Sequence, residues 1–304
     1  MLYHGAVSRK NRMRPCLQDR AFHVFNSLFM LILLVVIGYP LLFIIFASFE
    51  GAPSTMTLSL FPKKWSIEGY KAIIEYRWIW VGYLNSAIYT VVGTFVGLVV
   101  CVLAAYPLSD SELPGRKLLM ALFVFTMYFG GGLIPTYLNI RNFHMLDSIW
   151  ALVLPGALNV YNMIVIRTYF RTQIPGELKE AAALDGCGDW RFLLKIALPL
   201  AIPNLAVIAL YFVVGYWNSY FDAMIYIDTR SKLPLSCFLR EILILNDSSS
   251  ITASMDPDAM ASMEERQNVM KYALIIVSSL PMMIMYPFIQ KYFVKGMLIG
   301  AVKG

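Results

Sequence analysis

The sequence is poor in charged residues for its length. Asp, Glu, Lys and Arg make up 14% of the 304 residues, hydrophobic residues reach 59%, and the mean hydropathy is +0.63. A soluble globular domain carries about 25% charged residues, so this chain cannot cover a water-facing surface with charge. A lipid-facing surface removes that requirement. The composition therefore excludes an ordinary soluble domain and predicts an integral membrane protein.

Residues for metal, redox and nucleotide chemistry are also scarce. The four cysteines, Cys16, Cys101, Cys187 and Cys237, form no C-x-x-C pair, which argues against a metal site or a structural disulfide. His144 is the only histidine outside the N-terminal segment, which leaves little for a proton relay or a catalytic base. No G-x-x-x-x-G-K-[ST] loop is present to cradle a nucleotide. We therefore expect this chain to be non-catalytic and to bind no cofactor or metal itself.

The excess of basic residues does not indicate nucleic acid. The chain has 25 Lys and Arg against 19 Asp and Glu, but no basic stripe accompanies an aromatic platform. Lys and Arg instead collect on cytoplasmic loops of membrane proteins. The charge balance is therefore interpreted as membrane topology.

Uncharged stretches of about 20 residues, enough for a helix to cross a bilayer, occur six times, at 28–49, 84–107, 118–139, 148–166, 200–221 and 272–290. The first is longer than the apolar part of a signal peptide, which is about 7–15 residues, and we interpret it as a retained helix. The predicted fold is an all-α, polytopic membrane helix bundle of about six transmembrane helices.

The distribution of basic residues predicts the orientation of these spans. With both termini in the cytoplasm, fifteen Lys and Arg lie on the inner side and ten on the outer side. The division that follows is a cytoplasmic N-terminal segment (1–27), a transmembrane domain (28–293) and a cytoplasmic tail (294–304). The domain contains an inner loop (167–199) and a long external loop (227–270).

The inner loop has a pattern typical of two short helices around a glycine turn. Pro175 followed by Glu177 favours a helix start, because the negative charge lies at the positive end of the helix dipole. Residues 180–184 are strong helix formers, and Gly186 and Gly188 then end the helix. A second short helix is predicted from about Asp189 to Pro199, where the fifth span would begin.

The residues alone leave two functions open for this loop. Its alanines and Gly186 allow close approach of another protein, and Glu180 and Asp185 offer charges for ion pairs. An amphipathic helix lying in the membrane interface would need no partner and would look the same.

The loop resembles a known family. It matches the spacing E-A-A, three residues, G, nine residues, I-x-L-P through Glu180-Ala181-Ala182, Gly186 and Ile196-Ala197-Leu198-Pro199. This EAA motif resembles that of the permeases of binding-protein-dependent ATP-binding-cassette (ABC) importers, and we call residues 167–199 the EAA loop. Further stretches are similar to the carbohydrate branch, with its maltose- and alginate-type importers: 130–137, 216–221, 293–296 and 300–304.

The resemblance implies a type I ABC importer-like permease in a bacterial inner membrane. It implies that a coupling helix around 177–186 sits in a cleft of a separate ATPase, which holds ATP and Mg. The implied coupling residues are Glu177, Glu180, Ala181, Ala182, Ala183, Asp185, Gly186 and Pro199, and the implied contacts of the C-terminal tail are Val302, Lys303 and Gly304. The implied partners are a second homologous permease, two ATPases and an extracytoplasmic solute-binding protein that contacts the 227–270 loop.

A candidate substrate path lies near the outer end of the fifth span, at Tyr216, Trp217, Asn218 and Tyr220. Their rings and amide suit an oligosaccharide, but Trp and Tyr also collect at any membrane interface. Asp222 is interpreted as interfacial, and Gly130 to Gly132 as a helix break rather than an anion cradle.

The resemblance extends to importers of uronic-acid oligosaccharides such as alginate fragments, without naming the sugar. Rival functions are an amino-acid or peptide importer, an ion-driven secondary transporter and a membrane scaffold. No charge falls inside a predicted span, which counts against the ion-driven transporter.

Overall fold

The structure, a computed structural model, describes residues 17–51, 62, 64–244, 270–287 and 290. These residues form helices, turns and one isolated antiparallel bridge between Glu50 and Trp65. The helices are α1 (Leu17–Ala47), α2 (Glu68–Glu75), α3 (Arg77–Ser109), α4 (Arg116–Tyr128), α5 (Leu133–Asn142), α6 (Ile149–Ala157), α7 (Val160–Gln173), α8 (Gly176–Leu184), α9 (Asp189–Trp217), α10 (Phe221–Tyr226), α11 (Leu235–Ile244) and α12 (Met270–Pro287). The predicted all-α bundle is confirmed.

Four of these helices, α1, α3, α9 and α12, are long and apolar enough to cross a membrane singly. Two further spans are bent pairs, α4 with α5 and α6 with α7, which brings the number to six if each pair is one span. Each of the six predicted stretches falls on one of these helices or pairs.

The third and fourth predicted spans are not continuous helices, which corrects the prediction. The axes of α4 and α5 differ by 111° across Gly130, Gly131 and Gly132, and Gly132 has a φ of +84°. Glycine adopts this conformation without steric cost, so the predicted helix break at these glycines is confirmed. The α6–α7 pair bends by 48°, and Asn159 starts α7 by accepting a hydrogen bond from the Asn162 N–H at 3.0 Å.

The fifth span begins earlier than predicted. The expected short helix from Asp189 does not stop at Pro199 but runs on as the single helix α9, through a π-helical turn at Leu193–Ala197. Proline has no N–H to donate and its ring crowds the preceding turn. A wider turn is a known way to accommodate such a defect within a helix.

The centre of the fold is the packing of α3 against α9. Gly93 and Gly97 of α3 lie directly against aromatic rings of α9: an added Cβ would come within 2.6 Å of Tyr216 and 2.7 Å of Phe212. Small residues four apart let helices approach closely in a membrane, where packing replaces the hydrophobic effect. Neither glycine can therefore be enlarged without displacing the ring that packs against it.

Helix α1 contrasts with this core. None of the residues in its most apolar window is buried within the chain, and long side chains such as Leu34 are exposed to 69%. Such a surface is compatible with lipid or with another membrane subunit.

Candidate functional site

Helix α8, the predicted coupling helix, has the predicted limits. It follows Pro175, carries Glu177 in its first turn and is followed by Gly186, which has a φ of +73°. The Gly186 N–H donates to the Ala183 carbonyl at 3.0 Å and the Cys187 N–H to the Ala182 carbonyl at 2.9 Å. These bonds satisfy carbonyls at the end of the helix, and the left-handed residue that makes them possible favours glycine.

A single lysine ties α8 to two other elements. The Lys179 Nζ donates to the Asp110 carboxylate at 2.7 Å and lies 3.7 Å from the Asp189 carboxylate. Asp110 directly follows α3 and Asp189 begins α9, so the lysine joins three helices. The hydrogen bond between them lowers the pKa of Asp110 and raises the pKa of Lys179. Sequence reasoning missed Lys179 as a positioning residue.

One side of α8 faces its own chain. Ala182 is 8% exposed and belongs to the same buried cluster as Phe192 and Leu193 of α9. A small residue here allows α8 to lie close against α9. Of the predicted coupling residues, Ala182 is therefore a packing residue within this chain.

The other predicted coupling residues on α8 and at its end are exposed on the surface of the chain. Leu184 is 91% exposed, and Trp190 at the start of α9 is 67% exposed. The predicted residues that share this exposure are Glu177, Glu180, Ala181, Ala183, Asp185 and Gly186. We call Glu180, Ala181, Ala183, Leu184, Asp185 and Gly186 the α8 face.

A cleft of about 780 Å³ opens beside α8, between the end of α3, the end of α7 and the start of α9. Tyr106, Asp110 and Lys179 contribute polar groups to its wall, and Phe170 and Trp190 contribute rings. Because the cleft lies beside α8, the helix contacts the bundle mainly through the side that carries Ala182.

The remaining coupling predictions lie elsewhere. Pro199 is exposed on α9 beyond the π turn and is separate in sequence from the α8 face. Val302, Lys303 and Gly304 lie outside the described residues, as does much of the 227–270 loop.

The four predicted path residues do not share one environment. Trp217 is 8% exposed, donates from its indole Nε1 to the Ser278 carbonyl at 3.2 Å and packs edge-on against Tyr83. This burial favours a packing role between α9 and α12. Asn218 is exposed and donates to the Val214 carbonyl within α9, while the ring of Tyr220 lies 4.8 Å from the Arg240 guanidinium.

Of these four residues, Tyr216 lines a cavity in the described part of the chain. Its hydroxyl donates to the Val153 carbonyl of α6 at 3.1 Å. A cavity of about 590 Å³, which we call the aromatic pocket, lies here between α6, α7, α9 and α10. Its polar wall includes Tyr161, Asn162, Tyr211, Tyr216, Ser219 and Asp222. Because these residues come from three helices and the α9–α10 connection, no single sequence stretch indicated the pocket.

No protein-family model matches the chain. The chain is 39% identical over 290 residues to the polygalacturonan/rhamnogalacturonan transport system permease protein YtcP of Bacillus subtilis (strain 168), covering 95% of this chain and all of that protein. It is 40% identical over 287 residues to Protein LplC of the same organism, covering 94% and 96%. A solved bacterial ABC transporter involved in the import of the acidic polysaccharide alginate contains a similar chain, with a TM-score of 0.82, 30% identity and 91% and 98% coverage.

The helix arrangement and these likenesses define the class: the chain belongs to the permease subunits of ABC importers. Within that class it is a carbohydrate permease of the binding-protein-dependent type. It is a multi-pass protein of the inner membrane. The family resemblance carried by the EAA motif is confirmed.

Proposed function

We propose that this permease forms, with a second similar permease, the alternating-access pathway for an oligosaccharide, and couples it to ATP hydrolysis on two separate ATPase subunits. Helix α8 is the coupling element and sits in a cleft of one ATPase, on the cytoplasmic side. The observation that carries this proposal is the α8 face: a short, internally capped helix presenting charged, small and large apolar side chains that its own chain leaves uncovered.

The exposure of Leu184 supports a protein partner rather than water. Burial of a leucine side chain is worth about 1.5–3 kcal/mol, which is forgone while Leu184 stays 91% exposed. Trp190 at the start of α9 is also exposed, to 67%, and tryptophan is enriched at the centres of protein interfaces. The alanines between the charges allow a close approach.

The membrane interface is the rival location for this helix. An interfacial helix needs one continuous apolar side facing the lipid. On α8 the exposed Leu184 lies next to Glu180, Ala181 and Asp185, and the buried residue is Ala182. This mixture of charge and small residues fits a protein cleft better than acyl chains.

The proposed substrate class is an oligosaccharide of the uronic-acid type, such as pectin or alginate fragments. Support comes from the names of two similar proteins, one concerned with polygalacturonan and rhamnogalacturonan and one with alginate. ATP and Mg are assigned to the ATPase partners. An extracytoplasmic binding protein delivers the sugar and contacts the 227–270 loop.

The test is reconstitution of the importer from its native membrane with its binding protein, followed by ATPase and uptake measurements. The expected result is a heteromer of two permeases and two ATPases in which an oligosaccharide stimulates both activities. Transport by this chain in the absence of any ATPase would overturn the proposal. Stimulation by amino acids or peptides, with no response to oligosaccharides, would replace the substrate class.

A further inference from the structure

The aromatic pocket contains a buried amide without a partner. Asn162 of α7 is 4% exposed, and its side-chain amide makes no hydrogen bond with any residue that the structure describes. The amide is not among the described side-chain groups that are sealed from solvent without a partner, so it opens onto the cavity. Because Asn162 lines the cavity, a ligand in the pocket can supply both the missing acceptor and the missing donor.

A carboxylate shares the pocket with this amide. Asp222 of α10 lines the cavity and has neither a hydrogen bond nor an ion pair with the described part of the chain. Desolvation raises the pKa of Asp222, as expected for a carboxylate that lacks a donor. It is the one ionisable acid or base among the described lining residues, apart from phenols.

Aromatic rings complete the wall. The hydroxyls of Tyr161 and Tyr211 have no hydrogen-bond partner among the described residues, while the Tyr216 hydroxyl already donates to Val153 and retains an acceptor lone pair. Flat rings next to an amide, hydroxyls and one carboxylate suit a molecule with apolar faces and many hydroxyl groups.

We infer that the aromatic pocket is a subsite for an uncharged, polyhydroxylated sugar unit of the transported oligosaccharide, with Asn162 and Asp222 bonding its hydroxyls. The inference rests on the proposed function and adds to it a preference for neutral over acidic sugar units at this position. A uronate carboxylate is disfavoured at this position, because Asp222 repels it and no Lys or Arg lines the described wall. Acidic units of the same oligosaccharide must therefore lie elsewhere along the path.

Lipid and the second permease are the other possible occupants. Lipid tails are poor occupants, because they leave the Asn162 amide and the Asp222 carboxylate unpaired. A side chain of the second permease would satisfy the same groups, and a bulky residue in the pocket would then break the pair of permeases apart.

The first experiment fills the pocket. Gly215 lines it, and an added Cβ there meets no atom of another described helix within 4 Å, so Gly215→Leu adds bulk at the cavity wall from a position with space for a side chain. The matched control is Val214→Phe, which adds bulk at a neighbouring exposed residue that does not line the pocket. The expected result for Gly215→Leu is at least a tenfold loss of sugar uptake with the second permease retained in the purified complex, and near-normal uptake for the control. Unchanged uptake, or loss of the second permease from the purified complex, would overturn the inference.

The second experiment tests the chemistry with two probes that differ only at C6, an α-1,4-linked galactose trimer and a galacturonate trimer. Asp222→Asn should shift the ratio of their KM values for ATPase stimulation by about fivefold in favour of the acidic trimer, as expected from removing one nearby like charge in a wet site. Asn162→Leu should raise KM about tenfold for each stimulating trimer, and Asn162→Gln should restore part of the loss. An unchanged ratio in Asp222→Asn would overturn the inference while leaving the proposed function intact. If neither trimer stimulates the wild-type importer, the proposed substrate class fails and the inference fails with it.

Discussion

The EAA loop and the 228–233 segment, predicted to lie on opposite sides of the membrane, are held in very different ways. In the 228–233 segment the Asp147 carboxylate accepts hydrogen bonds from the N–H groups of Asp228 and Thr229, at 3.2 and 2.9 Å. The Lys232 Nζ also donates to this carboxylate at 2.6 Å. These bonds lower the pKa of Asp147, Lys232 contributing most.

Helix α3 adds to this network. Asn85 donates to the carbonyls of Ser231 and Leu233, and the Tyr89 hydroxyl donates to the Lys232 carbonyl at 2.6 Å. The segment is therefore fixed by bonds within its own chain. Helix α8 depends on Lys179 and the packing of Ala182, and it exposes the rest of its surface. The comparison shows that the 228–233 segment is supported by its own chain, and it agrees with the proposal that a partner covers α8.

The largest expected effect concerns Gly186. A leucine must hold the left-handed backbone at a cost of about 1–3 kcal/mol. It also protrudes from the α8 face, since no described residue, apart from its neighbours in sequence, has an atom within 4 Å of an added Cβ. We expect Gly186→Leu to lower the sugar taken up per ATP hydrolysed by about tenfold or more, and Gly186→Asp to act similarly. The measurement is parallel uptake and ATPase activity in proteoliposomes.

Gly188→Leu is the matched control, because Gly188 also has open space around it but a φ of −69°. Its effect should be clearly smaller. Equal coupling in Gly186→Leu and wild type, at equal expression, would contradict a role for the α8 face.

The next effect in size is that of Glu180→Ala. An ion pair that remains exposed is worth about 0–1 kcal/mol, whereas truncating one member of a pair buried in a protein cleft costs about 2–5 kcal/mol. We expect Glu180→Ala to weaken binding of the ATPase by the larger of these two amounts. The measurement is the affinity of the ATPase for the permeases in nanodiscs. Glu112→Ala, which removes an exposed acid outside α8, should leave this affinity unchanged. If the ATPase binds both variants with the same affinity, α8 is a helix of the membrane interface and does not seat in the ATPase.

A smaller effect is expected for Lys179→Met. The Lys179–Asp110 pair is partly exposed, at 44% and 35%, so its contribution to folding is about 0–1 kcal/mol. Its loss should nevertheless lower coupling several-fold, because α8 loses its tie to α3 and α9. Lys179→Arg should restore most of the coupling. Loss of expression in Lys179→Met, without any change in coupling of the protein that remains, would make the pair merely structural.

The smallest effect on coupling is expected for Asp147→Ala. This change removes the acceptor of two N–H groups and of the Thr229 hydroxyl, while the Lys232 ammonium keeps its bond to the Asp147 backbone carbonyl at 2.7 Å. Because these bonds are exposed, the expected cost is about 0.5–1.5 kcal/mol of folding stability, while coupling stays near wild type. Because the folded pKa of Asp147 is lowered, its stabilisation is present above the unfolded pKa of about 3.9 and is lost only as pH falls below that. Thermal unfolding at pH 8 and pH 5 should show the same deficit for the variant. A coupling defect as large as that of Gly186→Leu would remove the contrast between the two segments.

Local signals in the sequence predicted α8 well. The start after Pro175, the end at Gly186 and its positive φ all follow from residues adjacent in the chain. The role of Lys179 could not be predicted, since its partner Asp110 lies 69 residues away and only folding brings the two together. The aromatic pocket was missed for the same reason.

Errors in the spans also have physical causes. A hydropathy pattern measures length and apolarity, so it could not distinguish the bent α4–α5 pair from a straight helix, although Gly130 to Gly132 marked the break. Pro199 suggested a boundary because proline usually ends a helix, but the π turn carries α9 past it. Residue type left Trp217 open between a substrate path and the membrane interface, whereas its contacts with Ser278 and Tyr83 bury it.

The most direct test of the central claim is a cysteine cross-link between α8 and the ATPase in native membranes. Cys16, Cys101, Cys187 and Cys237 are first replaced by serine or alanine, and a single cysteine is placed at Leu184, which is 91% exposed, or at Ala182, which is 8% exposed. A short bifunctional reagent should join Leu184→Cys to the ATPase in high yield, with the yield changing when ATP is added, and should leave Ala182→Cys unlinked. Equal yields at both positions, or no cross-link at Leu184 in membranes that retain the ATPase, would contradict the account.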